Sequence, residues 1–393
     1  MNTIFDIQEV KSPQTQEEFL RLPAKLYKGD KNWIHPLKED IQNIFDPTKN
    51  KHFQHGECTR WILTNQNGET IGRVAAFIDH KTKDLNDQPT GGMGFFECIN
   101  NKEAAFQLFD QCKNWLKERN IEAMDGPINF GERHQWWGLL IDGFDYPNYG
   151  MPYHHSYYKD FFEEYGFQIY FKQYTYKTQF NPENLSKILV WKADRIFSNP
   201  KYRVIHFKKN ESERFIKDFT EVYNKAWAKD IPGIDGIEPI QAQELFKSIQ
   251  DIIEEKLMWF AYYEDQVIGF FIMMPDFNQI LKHLKGKITL WGKLLFLYYK
   301  YIKKNQKALG LIFGVIPEYQ SKGIEAALIK TFSDVGFSPK FQFKQLEMNW
   351  IGDFNPRMMH LMEHIGAKIH KTHITYRKLF DPNKPFKRAE IIK

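Results

Sequence analysis

The chain has 393 residues, 42% apolar and 26% charged, and no run reaches the roughly 18 apolar residues that span a bilayer. Its net charge is 54 − 49 = +5, with no Arg-rich run or nucleic-acid motif, so no nucleic-acid partner is expected, while attraction to phosphates or a lipid surface stays open. Cys58, Cys98 and Cys112 lack metal-ligand spacing, and the N-terminus lacks the layout of a signal peptide; reduced thiols, no metal and a cytoplasmic location are expected.

In chain order, 17–27 (EEFLRLPAKLY) reads as a helix and 60–73 (RWILTNQNGETIGR) as a hairpin about a polar turn. A strand (FFEC) leads directly into a helix with Phe106, Phe109, Cys112 and Leu116 on one face, opened by a capping box of Asn100 and Glu103. A long aromatic stretch, "GPINFGERHQWWGLLIDGFDYPNYGMPYHHSYYKDFF", precedes a helix closed by Gly166 and a β-branched, aromatic strand ending at Phe180. The same order then returns. Residues 213–223 resemble 17–27, 258–270 resemble 60–73, and 361–380 match 161–180 without a gap, at offsets of 196 to 200. Three matches in one order indicate two copies of one α/β unit, with a boundary at the turn-rich "FNPENLSK". Two domains, 1–180 and 181–393, are expected.

Only the second copy carries an anion-suited loop. "LIFGVIPEYQSKGIEAALI" (311–329) is a strand, a polar turn with one Gly, and a helix start, where successive N–H groups and the helix dipole favour negative charge. In the first copy, "FFECINNKEAAF" has no Gly and too few residues to wrap a diphosphate.

This order and loop resemble the GNAT acyltransferase superfamily, whose pyrophosphate loop reads Gln or Arg, two residues, Gly, one residue, then Gly or Ala. Gln320, Ser321, Lys322, Gly323 and Ile324 fit; Glu325 stands at the last position. A carboxylate facing a diphosphate is costly, so Glu325 is expected to point outward on the first helical turn. Downstream, in "LEMNWIGDFNPRMMHLMEHIGAK", Asn355 matches the Asn that opens the family's next helix, and Gly366 its closing Gly. The Tyr that many members use to protonate the leaving thiolate is here Met362. Tandem units with one cofactor loop resemble the N-myristoyltransferases and Fem peptidyltransferases.

The resemblance implies an α/β (α+β) fold of two tandem GNAT-like domains, with mixed central sheets flanked by helices. It implies acyl-CoA as co-substrate and transfer of the acyl group to an amine. Cofactor contacts are expected from Gly314, Val315, Gln320, Ser321, Lys322, Gly323, Ile324 and Asn355, with the amides of Gly314 to Ile316 as oxyanion donors. Alternation puts Glu347 and Asn349 on one strand face, making Glu347 a candidate base; an ion-paired strand residue is the other reading. His360 is a candidate for the missing acid. In the aromatic stretch, Asn129, Glu132, His134, His154, His155, Tyr157 and Tyr158 are candidates for an acceptor wall, with substrate contacts expected from Asn129, Glu132, His154 and Tyr157.

Segment 278–307 holds eight lysines and no acid around an apolar middle, Ile288 to Tyr299. It reads either as a surface segment against an anionic membrane or acyl chain, or as a helix packed on the core with lysine tails in water. Some bacterial ceramide synthases that join a fatty acyl group to a sphingoid amine are GNAT-like, so the resemblance implies a lipid amine as the specific acceptor expected. The competing classes are an aminoacyl-tRNA-dependent Fem-like transferase, which calls for a stronger basic face than +5, and a non-catalytic acyl-CoA or lipid sensor.

Overall fold

The computed structural model describes residues 5–85, 87–228, 236–287, 289–303 and 305–392. The strands are β1 (Asp6–Glu9), β2 (Gly56–Thr64), β3 (Thr70–Asp79), β4 (Thr90–Cys98), β5 (Ala123–Gly126), β6 (Leu139–Asp142), β7 (Gln168–Gln179), β8 (Tyr202–His206), β9 (Met258–Tyr263), β10 (Gln266–Pro275), β11 (Lys307–Val315), β12 (Gln345–Gly352) and β13 (Lys368–Leu379). The helices are α1 (Pro13–Leu26), α2 (Lys38–Ile44), α3 (Lys102–Lys117), α4 (Tyr158–Glu164), α5 (Lys187–Phe197), α6 (Ser212–Tyr223), α7 (Pro239–Ile249), α8 (Asn278–Leu281), α9 (Leu290–Tyr298), α10 (Ile324–Gly336) and α11 (Pro356–His364).

Each half follows the expected order: helix (α1, α6), hairpin (β2–β3, β9–β10), strand (β4, β11), helix (α3, α10), strand (β5, β12), helix (α4, α11) and strand (β7, β13). The α3 sequence buries Ala104, Ala105, Leu108, Phe109, Cys112 and Leu116 along one stripe against the sheet, and α10 does the same with Ile324, Ala327, Leu328 and Phe332. The cap of α3 is Asn101, not Asn100: its side chain accepts the Ala104 N–H at 2.8 Å.

The sheet does not stop at the expected boundary. Its order is β1-β2-β3-β4-β5-β13-β7-β12-β11-β10-β9-β8, with β6 also paired to β13. The last strand of each half thus lies in the other half's sheet: β13 pairs with β5 and β7 pairs with β12. The two exchanged strands pair antiparallel to each other, with Ile169 opposite Tyr376, Tyr176 opposite Ile369, and Gln173 opposite His373. Since residues 200 apart are repeat equivalents, this register is a pseudo-twofold axis through Gln173 and His373.

Candidate functional site

Strands β11 and β12 pair in parallel only from Lys307↔Gln345 to Gly310↔Met348. Beyond that point β11 stays with β10, while β12 bends onto β7 through an irregularity between Met348 and Ile351. The two strands therefore splay, and among the described residues no strand pairs with the end of β11 on that side. Ile316 donates its N–H to Ile268 O at 3.0 Å, so it does not serve as an oxyanion donor. Alternation along the strand then directs the amides of Val315 and Phe313 into the gap and that of Gly314 towards β10. Gly314 matters for space instead: a Cβ there would lie 3.0 Å from Trp227 Nε1.

Two helix starts flank the gap. The loop before α10 is held by Gln320, whose Nε2 donates to Val315 O at 3.0 Å, and by positive φ at Ser321 (60°) and Gly323 (104°). Lys322 points out of the cavity, its ammonium 4.6 Å from the Tyr319 ring, and Ile324 is buried against the core. Glu325 does not point outward. It lines the cavity, and burial raises its carboxyl above the usual value against hydrogen bonds from the backbone amides of Glu325 and Ser321 and the charge of Lys192. A protein carboxylate thus lies beside the amides of Ser321 and Glu325 at the start of α10. Across the gap, Asn355 caps α11 by accepting the Met358 N–H at 3.2 Å, and Arg357 and His360 line the same space. His360 is largely exposed and meets Glu363 at 3.0 Å; Met362, at the position of the family's Tyr, is buried.

The gap opens into a cavity of about 2590 Å³ walled by both halves, larger than the ~300–1,000 Å³ of ordinary small-molecule sites. The second half contributes Phe271, Met274, Leu309, Phe313 and Phe296; the first contributes Phe77, Asn129, Phe130, Glu132 and His134. Trp350 Nε1 donates to Arg133 O at 3.0 Å, which fixes the aromatic stretch against β12.

Several expected residues lie elsewhere. Glu347 is buried beside Lys307 (3.5 Å), Lys177 (3.8 Å) and His370 (3.9 Å), on the strand face away from the cavity-lining Leu346 and Met348. The alternation with Asn349 holds, because Asn349 joins the same cluster: Lys307 donates to Asn148 Oδ1 at 2.7 Å, and Asn148 Nδ2 donates to Asn349 Oδ1 at 3.2 Å. Asn349 alone of that pair also reaches the cavity. Burial works against the Lys307 ammonium, but Asp276 (2.9 Å) and Glu347 outweigh it and hold Lys307 above its usual value. His154 is buried in the first half, accepts the Leu140 N–H on Nδ1 at 3.1 Å, and is pushed down to about 3 by burial. Tyr157 donates to Cys98 O at 2.9 Å. Both serve the first half's core because the aromatic stretch folds back over β4.

Of a charged corner of the cavity wall, the sequence reading named Glu132 but missed His52, His55 and Asp79. His55 and His52 direct Nδ1 at the two oxygens of Asp79 (2.9 and 3.4 Å), and Glu132 lies 3.9 Å from His52 Nε2. Asp79 and Glu132 together raise His52 to about 9 against the effect of burial. The His52-x-x-His55 spacing was its only local signal. The three ligand atoms of His52, His55 and Asp79 lie within 4.8 Å of one another, but their hydrogen bonds already make them an ion-pair clamp.

No family model matches the chain. A bacterial ceramide synthase of Caulobacter vibrioides is 27% identical over 388 residues, covering 96% of this chain and 98% of that protein. Protein YghO of Escherichia coli is 25% identical, covering 92% of each chain. Among solved structures, a tandem GNAT protein of the clavulanic acid pathway aligns over 97% of this chain and 100% of its own, with a TM-score of 0.52 and 8% identity. A GCN5-related glucosamine N-acetyltransferase region of a fungal β-N-acetylglucosaminidase covers 96% of this chain, with a TM-score of 0.56 and 10% identity; this chain spans 38% of that protein.

Proposed function

On this tandem GNAT fold, we propose that the chain is an acyl-CoA-dependent N-acyltransferase whose acceptor is a lipid amine of sphingoid type. The observation that carries the reading is the splay of β11 from β12 between two helix starts, opening into a long apolar cavity. Coenzyme A would lie across the starts of α10 and α11, with Gln320, Ser321, Gly323 and Asn355 around its phosphates and Lys192 and Arg357 as cavity-lining cations. The thioester carbonyl would then meet the Val315 and Phe313 amides, which would hold the oxyanion formed when the amine attacks. The neutral amine nitrogen gains the acyl carbon and the C–S bond breaks; the proton that nitrogen sheds passes to water in the cavity, while the thiolate takes one from water or His360. The apolar wall suits the chain of such an amine. The protein's overall similarity to a ceramide synthase supports this acceptor class, and such an acceptor would place the protein peripherally at the inner membrane face.

A second reading has specific support. The Glu325 carboxylate beside the amides at the start of α10 and Met362 at the acid position fit a protein that senses acyl-CoA or a lipid without turnover. Calorimetry with coenzyme A, acetyl-CoA and palmitoyl-CoA, followed by mass spectrometry of sphingoid amines incubated with palmitoyl-CoA, separates the two. Amide product supports transfer, tight binding without product supports the sensor, and no binding removes both.

A further inference from the structure

We propose that α9 and the turn after it dock on an anionic bilayer and form the doorway through which a lipid enters the cavity; the doorway part rests on the lipid-amine reading above. Thr289 starts α9 by accepting the Gly292 N–H at 3.2 Å. The helix is short of the length and apolarity that cross a membrane, as is every helix among the described residues. It carries two apolar faces. One turns inward: Phe296 packs on Phe277 at 5.9 Å between ring centroids, and Lys293, Phe296, Leu297, Lys300 and Tyr301 line the cavity. The other meets solvent: Leu290 is 77% exposed, Trp291 80% and Ile302 71%, with Leu294 and Tyr298 about half exposed between them. Single exposed apolar residues are ordinary, but a helical stripe ending in an open Trp is not. Expected Ile288 and the adjoining Lys304 fall outside the described residues.

Charge selects the occupant. No acid stands in the sequence between Asp276 and Glu318, while the exposed Lys282, Lys285, Lys287 and Lys303 stand on either side of the stripe in the sequence. A second copy of this chain, or an ordinary protein partner, would have to present a matching acidic surface rimming an apolar one. The leaflet of an anionic bilayer has that layering by nature, with phosphates outside and acyl chains beneath, and interfacial Trp and Tyr suit its headgroup level. The rim supports the doorway. Leu297 and Tyr301 are at once exposed and part of the cavity lining, and so is Leu245 of α7. Lys300 joins the two helices by donating to Asp251 O, just past the end of α7. An alkyl chain leaving the leaflet between α7 and α9 would meet Leu245, Leu297 and Tyr301 at the rim and Phe296 beyond them.

The test is flotation with vesicles of phosphatidylcholine alone and mixed with phosphatidylglycerol, for the full chain and for the Trp291→Glu/Leu294→Glu double variant. Both substituted side chains are exposed, and an unchanged melting temperature confirms folding. The wild type should float with the anionic vesicles, lose roughly tenfold in partitioning on neutral vesicles or in high salt, and lose a similar factor in the double variant. Absence of flotation, equal flotation of the variant, or a wild-type dimer in sedimentation that the variant loses would each overturn the proposal. Flotation needs no turnover, so its failure is separable from failure of the transferase reading. Palmitoyl-CoA calorimetry without lipid should be unchanged in the variant.

Discussion

At His52 the structure makes a signed claim about pH. Its folded value of about 9 lies above the ordinary 6.5 because Asp79 and Glu132 favour the imidazolium. The stabilisation is therefore complete below pH 6.5 and is lost as pH rises through 9. Urea midpoints measured from pH 6.5 to 9.5 should fall for the wild type and stay flatter for His52→Asn; equal slopes would mean the clamp is open in solution. Glu325 gives a second test. An ionised carboxylate beside the amides at the start of α10 competes with a diphosphate, so Glu325→Gln should tighten coenzyme A binding by about tenfold, the scale of one charged contact. Wild-type affinity should rise as pH falls towards the raised carboxyl value, and the Gln variant should lose that dependence. Residue-scale legibility followed locality. Asn355 at the start of α11 was readable from the resemblance and makes a local cap, and Gly323 was readable as the one Gly of the turn, though its left-handed backbone was not foreseen. Glu325's direction was not, since it depends on burial beside Lys192 from a distant helix.

Among the elements, β12 shows how far a pattern can be followed. Alternation correctly put Glu347 and Asn349 on one face, but only the partners decide what that face does. Lys307 lies at the end of a lysine-rich segment that reads as surface, yet it is buried between Asp276 and Glu347 and holds Asn148 of the first half. Replacing it with Met would strand two buried carboxylates, a loss on the scale of breaking a buried ion pair, about 3–5 kcal/mol. Urea denaturation should show this loss in Lys307→Met, and adding Glu347→Gln should recover part of it by removing one stranded charge. A Lys307→Met protein as stable as the wild type would mean that water reaches the cluster. The aromatic stretch was legible as ordered structure and as a cavity wall at Asn129 and Glu132. It was not legible at His154 and Tyr157, because the fold-back over β4 is fixed by contacts such as Tyr158 on Glu97 (2.9 Å) that no periodicity encodes.

Over the whole molecule, the repeat made two units readable but could not say which sheet receives each last strand. The equivalent strands β7 and β13 carry the same Thr-Tyr pattern, and either would satisfy the hydrophobic face of either half. The exchange decides it, with a consequence for the boundary at 180/181. Cut there, fragment 1–180 would hold β7 with both neighbours gone, since β12 and β13 lie in the other fragment. Fragment 181–393 would hold β13 without β5, β6 or β7. Each fragment would expose a long unpaired strand rich in β-branched and aromatic residues, which favours aggregation over folding. Expressed separately, the fragments should give poorly dispersed amide spectra; mixed or co-expressed, they should form a one-to-one complex with the native spectrum and coenzyme A affinity. The alternative is that each half takes back its own strand, β7 beside β5 and β13 beside β12. A folded, monomeric 181–393 that binds coenzyme A as tightly as the full chain would establish that alternative, and the cavity between the halves would then have to form without the exchanged strands.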